Sequence, residues 1–228
     1  MAIDRPKLHR FYRYMIDWLY PNVCPCCGKY IDHDADFCND CKNNITPYTG
    51  DSVPRGLDGF AAYCEYDHNI DDAILHFKKD PDGNSYYAFA CGIAEALRKN
   101  GIIPDIDMIV PIPITKAKMK SRGYNQTELI ARELRFLIDK PYENLLLKIR
   151  DTKDQKNMLG KDRSENVKDV FAVDPRVSDL TGKRLLVIDD VCTTGSTLSE
   201  AAKVLKTGGA AKVYAAAFAK TPFRKRGQ

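Results

Sequence analysis

One segment constrains the fold of this chain more than any other: RLLVIDDVCTTGSTLSEAAKVL, from Arg184 to Leu205. Its continuous apolar run, Leu185 to Ile188, is typical of a central strand in a parallel sheet. Two carboxylates, Asp189 and Asp190, follow at the carboxyl end of that strand, where open α/β sheets bind their ligands. Helical spacing of apolar residues begins directly afterwards. The segment therefore predicts a strand–turn–helix unit with a polar ligand site at its turn.

The turn of this unit is rich in hydroxyl groups and is suited to bind phosphate. Its residues are Thr193, Thr194, Gly195, Ser196 and Thr197. Backbone N–H groups at the start of a helix attract a phosphate dianion, and a glycine lets the backbone approach the ligand closely. Since carboxylates would repel a bare phosphate, we expect Asp189 and Asp190 to accept hydrogen bonds from neutral hydroxyls or to meet a metal. The segment predicts a sugar-phosphate site, and neither common glycine-rich nucleotide motif follows a predicted strand.

The rest of the chain alternates apolar strand-like runs with helical patterns, which predicts an α/β domain with a mainly parallel sheet flanked by helices. An N-terminal helix is expected over residues 4–19, with apolar residues at helical spacing that pack on the protein itself. The polar stretch at 150–168 is too long for a routine connection, and its spaced basic residues favour a functional loop.

Five of the eight cysteines lie within eighteen residues near the N-terminus. Four of them form the pattern C-x2-C-x10-C-x2-C and are the candidate metal ligands: Cys24, Cys27, Cys38 and Cys41. Four thiolates at this spacing favour a closed, structural zinc site, with unligated thiols, a disulfide or an iron–sulfur cluster as the alternatives. We expect a small zinc-binding element over residues 1–48 and the α/β domain over residues 49–228.

Composition and charge set further limits on function. With 44% hydrophobic and 29% charged residues and no apolar run of membrane-spanning length, the chain is expected to be cytoplasmic with no membrane partner. Residues 1–115 carry 11 basic and 17 acidic side chains, whereas residues 116–228 carry 24 and 14. This asymmetry indicates an anionic ligand or partner, phosphate or nucleic acid, or else a solvated basic face.

Several motifs together resemble a known family. The string VIDDVCTTGST resembles the phosphoribosyl diphosphate (PRPP) motif of type I phosphoribosyltransferases. In the same order as here, the ComF (competence protein F) family also carries the following motifs: Cys-x-x-Cys-Gly, FKKD around Lys78, IVPIP at 109–113, RGYNQ at 122–126 and R-x-T-x-x-Q…R-x-x-N from Arg150 to Asn166. The resemblance implies a type I phosphoribosyltransferase-like fold behind the zinc-binding element.

The resemblance also implies roles for individual residues. Asp189 and Asp190 would hold the ribose hydroxyls of PRPP, and Thr193 to Thr197 its 5′-phosphate. Residues implied on the pyrophosphate side or in a hood over it are Lys78, Arg122, Asn125, Gln126, Arg150, Gln155 and Arg163. The chemistry implied is displacement of pyrophosphate from C1 with Mg²⁺ present, and it needs no nucleophilic side chain.

Three functions follow from these expectations. The first is a ComF-type phosphoribosyltransferase associated with natural transformation, that is, with DNA uptake and the processing of single-stranded DNA. The second is a non-catalytic competence protein that retains the PRPP fold, binds single-stranded DNA and meets other proteins of the competence machinery. The third is a nucleobase-salvage or amidophosphoribosyltransferase-like enzyme, which is disfavoured because no N-terminal cysteine nucleophile is present and salvage needs no zinc element.

Overall fold

The computed structural model describes residues 5–79, 85–150, 169–177 and 179–222. The helices in these ranges are α1 Arg5–Asp17, α2 Asn39–Asn43, α3 His68–Lys79, α4 Ser85–Lys99, α5 Lys116–Arg122, α6 Gln126–Ile138 and α7 Ser196–Thr207, with a 3-10 turn at Ile103–Asp105. The strands are β1 Gly59–Glu65, β2 Met108–Pro111, β3 Leu146–Lys148, β4 Phe171–Val173, β5 Arg184–Cys192 and β6 Lys212–Lys220.

Four of the strands form one parallel sheet in the order β1-β6-β5-β2. The central strand β5 pairs with β2 through Met108 opposite Leu185, and with β6 from Arg184 opposite Lys212 to Cys192 opposite Lys220. Parallel strands need crossover connections, and the helices of the chain supply them. The predicted α/β class and the mainly parallel sheet are confirmed.

The two remaining strands, β3 and β4, form an antiparallel pair. Their pairing is extended by the Ile149 amide, which donates to the Val170 carbonyl at 2.8 Å. The two ends of the long polar connection are therefore side by side. Residues 151–168 of that connection lie outside the described residues.

Both faces of the parallel sheet are covered, which explains the continuous apolar runs of its strands. Helices α3, α4 and α6 pack on one face and α7 packs on the other. The first face is built around Phe89, whose ring stacks on Phe218 with centroids 3.9 Å apart and meets the edge of Phe77 at 5.0 Å. This packing fixes the end of α3 relative to the strands.

The cysteine-rich element packs on the same core. Phe37 is buried, and its ring stacks on Phe218 with centroids 6.2 Å apart. At the end of the predicted element, the Tyr48 amide donates to the Tyr63 carbonyl of β1 at 3.1 Å. The boundary at residues 48 and 49 stays a prediction, and the two parts share packing on either side of it.

Of the four described apolar residues in the stripe predicted for the N-terminal helix, three are exposed and Ile16 is half-buried. Phe11, Met15 and Leu19 are 60%, 51% and 66% exposed, so the expectation that these residues pack on the protein is wrong. Helix α1 instead contacts the protein through cationic and polar side chains. The His9 ring stacks on Phe136, and the Arg13 guanidinium lies 3.4 Å from the centroid of the Tyr87 ring.

No helix in the described part of the chain is both long and apolar enough to cross a bilayer.

Candidate functional site

Strand β5 carries two acidic residues to the carboxyl edge of the sheet. The Asp190 amide donates to Asp189 Oδ1 at 2.9 Å, and the Val191 amide donates to Asp190 Oδ1 at 2.8 Å. Both carboxylates are half-buried, and β5 is held between two paired strands. The acids are therefore fixed by backbone hydrogen bonds in a rigid part of the fold.

A cation from outside this strand reaches the acidic pair. Lys78, near the end of α3, places its Nζ 3.0 Å from Asp190 Oδ2. Burial alone would raise the pKa of Asp190, but the Lys78 ammonium outweighs burial and lowers that pKa below its usual range. Burial and the neighbouring charge of Asp190 raise the pKa of Asp189 well above its usual range. The pKa of Asp190 therefore lies below that of Asp189, and Asp190 is the first of the two carboxyls to ionise as the pH rises.

This difference predicts that Asp189→Asn stabilises the protein near neutral pH. Because the pKa of Asp189 is raised by folding, ionising this carboxyl costs stability above that raised pKa. Asparagine removes the cost, and we expect a melting temperature higher by about 2–4 °C, the shift that about 1 kcal/mol gives in a chain of this size. Thermal unfolding between pH 5 and pH 8 tests this. The gain should shrink as the pH falls, and a lower melting temperature at pH 7.5 would contradict the assignment.

The hydroxyl-rich turn follows directly after the acids. Gly195 has φ +81°, the left-handed region that favours glycine, and a Cβ there would lie 2.6 Å from the Pro54 Cβ. Thr194 Oγ1 and Ser196 Oγ are hydrogen-bonded at 2.8 Å, and helix α7 begins at Ser196. The first N–H groups of a helix have no acceptor within it, so this turn offers both amides and hydroxyls to a ligand.

A buried lysine binds the backbone at the start of the hydroxyl-rich turn. Lys220 is 2% exposed, and its Nζ donates to the Thr193 carbonyl at 2.5 Å and to the Thr221 carbonyl at 3.1 Å. Sequence reasoning missed this residue, although the signal was present as a lysine that ends the apolar run KVYAAAFAK. The neighbouring thiol of Cys192 is also buried, and burial raises its pKa to about 12. That thiol is not poised to react.

The predicted pyrophosphate-side residues are found in different surroundings. The Lys78 ammonium contacts Asp190, and Arg122 is half-buried at the end of α5. Asn125 and Gln126 are buried, and Asn125 Nδ2 donates to the Ile112 carbonyl at 3.1 Å. Arg150 is exposed just after β3, and the predicted hood residues Gln155 and Arg163 lie outside the described residues. The role of this group towards a ligand stays a prediction.

The four predicted metal ligands come together in the N-terminal element. The sulfur atoms of Cys24, Cys27, Cys38 and Cys41 all lie within 4.8 Å of one another. Cys27 Sγ and Cys38 Sγ are 3.7 Å apart, close to the edge of about 3.8 Å for a tetrahedron with 2.3 Å zinc–sulfur bonds. Gly28, with φ +71°, closes the first knuckle, and its amide donates to the Cys24 carbonyl at 2.9 Å. These residues fit a structural zinc ion, and they form the one such cluster among the described residues.

Two family profiles match the chain, one at the cysteine cluster and one at the segment that carries the acidic pair. Residues 15–53 match the double zinc ribbon domain, and residues 119–226 match the phosphoribosyl transferase domain. Fold and sites together define an α/β protein with a phosphoribosyltransferase-like fold and an N-terminal zinc-binding element.

Similarity to curated proteins shows which family the chain belongs to. The DNA utilization protein YhgH of Escherichia coli (strain K12) is 31% identical over 197 residues, which cover 84% of this chain and 81% of that protein. Competence protein ComFC of Bacillus subtilis is 28% identical over 194 residues, covering 84% and 75%. Competence protein F of Haemophilus influenzae is 32% identical over 108 residues, 47% of each chain. The chain belongs to the ComF family.

The solved structures that match the chain share less sequence with it. A glutamine PRPP amidotransferase from B. subtilis, complexed with ADP and GMP, matches 63% of this chain and 30% of its own length with 17% identity and a TM-score of 0.41. A purine phosphoribosyltransferase from Pyrococcus horikoshii matches 61% and 76% with 21% identity and a TM-score of 0.38.

Proposed function

We propose that this protein binds PRPP together with Mg²⁺ and displaces pyrophosphate from it. The observation that carries the proposal is that an acidic pair and a hydroxyl-rich helix start lie on one strand–turn–helix unit, with the Lys78 ammonium 3.0 Å from Asp190. The acids suit the two ribose hydroxyls, the turn suits the 5′-phosphate and the cation suits the diphosphate. A ribose that carries a 5′-phosphate and a diphosphate matches all three parts of the site.

The residues act by binding and orientation. Asp189 and Asp190 accept hydrogen bonds from the ribose hydroxyls, and the turn at Thr193 to Thr197 donates to the 5′-phosphate. The bond between C1 and the pyrophosphate oxygen breaks with its electron pair on pyrophosphate, while a lone pair of the acceptor forms the new bond to C1. Positioning and charge neutralisation supply the catalysis, so no covalent intermediate with the protein is needed.

The acidic pair also fits a hard cation. Carboxylate oxygens are the ligands that Mg²⁺ prefers, and this ion is commonly held by one or two carboxylates together with substrate phosphates. Asp189 and Asp190 would hold it with the ligand, and the ion supplies positive charge against the leaving diphosphate. Lys78 already balances one carboxylate when no ligand is bound.

Ligand-induced stabilisation tests the proposal. The melting temperature is measured with Mg²⁺ and either PRPP, ribose 5-phosphate or pyrophosphate. A ligand at 100 times its Kd stabilises the folded state by about 2.7 kcal/mol, which in a chain of this size corresponds to roughly 5–10 °C. We expect that shift for PRPP and smaller shifts for the two fragments, since each fills part of the site. A PRPP shift no larger than that of pyrophosphate would refute ribose recognition by the acids.

Binding of single-stranded DNA is the second candidate, and exposed aromatic rings favour it. Trp18, Tyr20 and Tyr30 are 84%, 71% and 79% exposed, and all three lie within residues 1–48, the predicted zinc-binding element. Aromatic rings stack on bases without regard to sequence, and basic residues attract the phosphates. We place this activity in the cytoplasm during natural transformation, because two of the relatives are named as competence proteins.

Fluorescence anisotropy with labelled single strands separates the two candidates. We expect affinity to fall steeply between 50 and 200 mM salt and Trp18→Ala to weaken it about tenfold, since base stacking contributes roughly 1–3 kcal/mol per base. Asp190→Asn should leave DNA affinity unchanged, because the acids are not part of this surface. Absence of a complex at 50 mM salt would exclude DNA binding by this surface.

A further inference from the structure

The RGYNQ motif at 122–126 forms the junction between α5 and α6. Gly123 ends α5 with φ +79°, and its amide donates to the Met119 carbonyl at 2.8 Å. Tyr124 follows, half-buried, and Gln126 begins α6. The motif therefore ends one helix and begins the next within a few residues, and it directs successive side chains to different neighbours.

One of these side chains reaches α3. The Tyr124 hydroxyl donates to the Phe77 carbonyl at 2.7 Å. Phe77 is fully buried against Phe89, and the residue after it is Lys78, whose ammonium lies 3.0 Å from Asp190 Oδ2. The Tyr124 hydroxyl thus holds the last turn of α3, and this turn carries Lys78, whose ammonium contacts Asp190.

Asn125 of the motif, and Thr127 just after it, bind the backbone directly after β2, on the other side of the acidic pair. The Ile112 carbonyl accepts from Asn125 Nδ2 at 3.1 Å and from Thr127 Oγ1 at 2.6 Å. The Ile112 amide donates to the Ile188 carbonyl at 3.1 Å, one residue before Asp189. The motif therefore joins α3 on one side and the ends of β2 and β5 on the other.

We propose that Tyr124 is a positioning residue that holds Lys78 against Asp190, and that the ligand affinity of the acidic pair depends on this hydroxyl without contact between Tyr124 and the ligand. The inference rests on the proposed function, because it assigns the affected ligand as PRPP with Mg²⁺. Without the hydroxyl, a buried carbonyl loses its partner and the end of α3 is less firmly held. Lys78, whose side chain is 34% exposed, can then leave the carboxylate for solvent.

A double-mutant cycle with Tyr124→Phe and Lys78→Met tests this on the zinc-loaded full chain, with the Kd of PRPP and Mg²⁺ as the readout. We expect Tyr124→Phe alone to weaken binding about fivefold to tenfold, the worth of one hydrogen bond. In the Lys78→Met background the same change should weaken binding less than twofold, because the ammonium that Tyr124 positions is absent. Equal effects in both backgrounds, or no effect in either, would overturn the proposal.

The matched control is Tyr214→Phe. Its hydroxyl donates to Asp105 Oδ2 at 3.1 Å, and Tyr214 pairs with Gly59 at the other end of the sheet. The control loses a similar hydrogen bond and should leave PRPP affinity unchanged. Thermal unfolding of the variants shows whether a loss of binding is only a loss of folded protein.

A ligand-free measurement separates this inference from the proposed function. The side-chain NMR resonance of Lys78, assigned with Lys78→Met, should move towards that of a solvated lysine in Tyr124→Phe and stay in place in Tyr214→Phe. If the wild type does not bind PRPP, the proposed function fails, and the Lys78 resonance alone then decides the role of Tyr124. An unmoved resonance would refute that role.

Discussion

Replacing Cys38 by serine is expected to release zinc and to unfold the N-terminal element. Four sulfur atoms within 4.8 Å of one another form the site, and three thiolates do not close it. A small zinc site contributes about 10–16 kcal/mol of binding free energy that is also folding free energy. Phe37, the neighbour of Cys38, stacks on Phe218 of the main core, so the loss reaches the α/β domain. We expect zinc to fall from about one ion per chain to nearly none and the melting temperature to fall by well over 5 °C.

The matched control for this variant is Cys26→Ser. Cys26 lies in the same element and packs against the core, but it is outside the four-sulfur cluster. Metal analysis of purified protein should find the wild-type zinc content in the control. A wild type with well under one zinc per chain, or a Cys38→Ser protein with unchanged metal content and melting temperature, would contradict the zinc assignment.

Replacing both acids of β5 by asparagine is expected to abolish PRPP binding while the fold is kept. Each substitution preserves shape and removes a charged acceptor for a ribose hydroxyl, and a hydrogen bond to a charged group contributes about 1.5–3 kcal/mol. Two such losses weaken binding by roughly 100-fold or more. Because Asp189→Asn removes a half-buried carboxyl whose ionisation next to Asp190 is unfavourable, the double variant should remain folded.

Asp107→Asn is the control for this pair of substitutions. Asp107 Oδ1 lies 2.7 Å from Arg184 Nη2, at the amino end of the same strand that carries the two acids. The control makes the same chemical change at the opposite end of β5 and should leave PRPP affinity within twofold of the wild type. Equal losses in the control and the double variant would mean that the acids do not bind the ribose.

The features that the sequence predicted well are local ones. The apolar run at Leu185–Ile188 has the length and the flanking residues of a buried parallel strand, and it is the centre of the sheet. The cysteine spacing permits two tight knuckles, and the sulfur atoms meet as expected. In both cases a few neighbouring residues carry the whole signal.

The features that the sequence did not reveal depend on contacts between distant segments. The apolar stripe of α1 suggested a buried face, but the rings of Phe136 and Tyr87 and the carboxylate of Glu133 instead attract His9 and Arg13. No periodicity within α1 contains that information. The sequence shows Lys220 as the residue that ends an apolar run, but the two carbonyls that make its burial tolerable are evident only in the structure.

The contacts of the RGYNQ motif also depend on segments that are distant in the sequence. Its resemblance to a family motif implied a place on the pyrophosphate side for Arg122, Asn125 and Gln126, which stays a prediction. The structure shows Tyr124 and Asn125 hydrogen-bonded to the carbonyls of Phe77 and Ile112. The identity of the motif could be taken from the sequence. Its neighbours could not, because they lie 47 and 13 residues away along the chain.

Calorimetric titration of PRPP with Mg²⁺ into the zinc-loaded wild type tests the central claim most directly. The account predicts saturable binding of one PRPP per chain, dependent on Mg²⁺ and lost in the Asp189→Asn/Asp190→Asn protein. Absence of binding by a folded, zinc-loaded wild type, or equal binding by the double variant, would contradict the claim that the acidic pair and the hydroxyl-rich turn form a PRPP site.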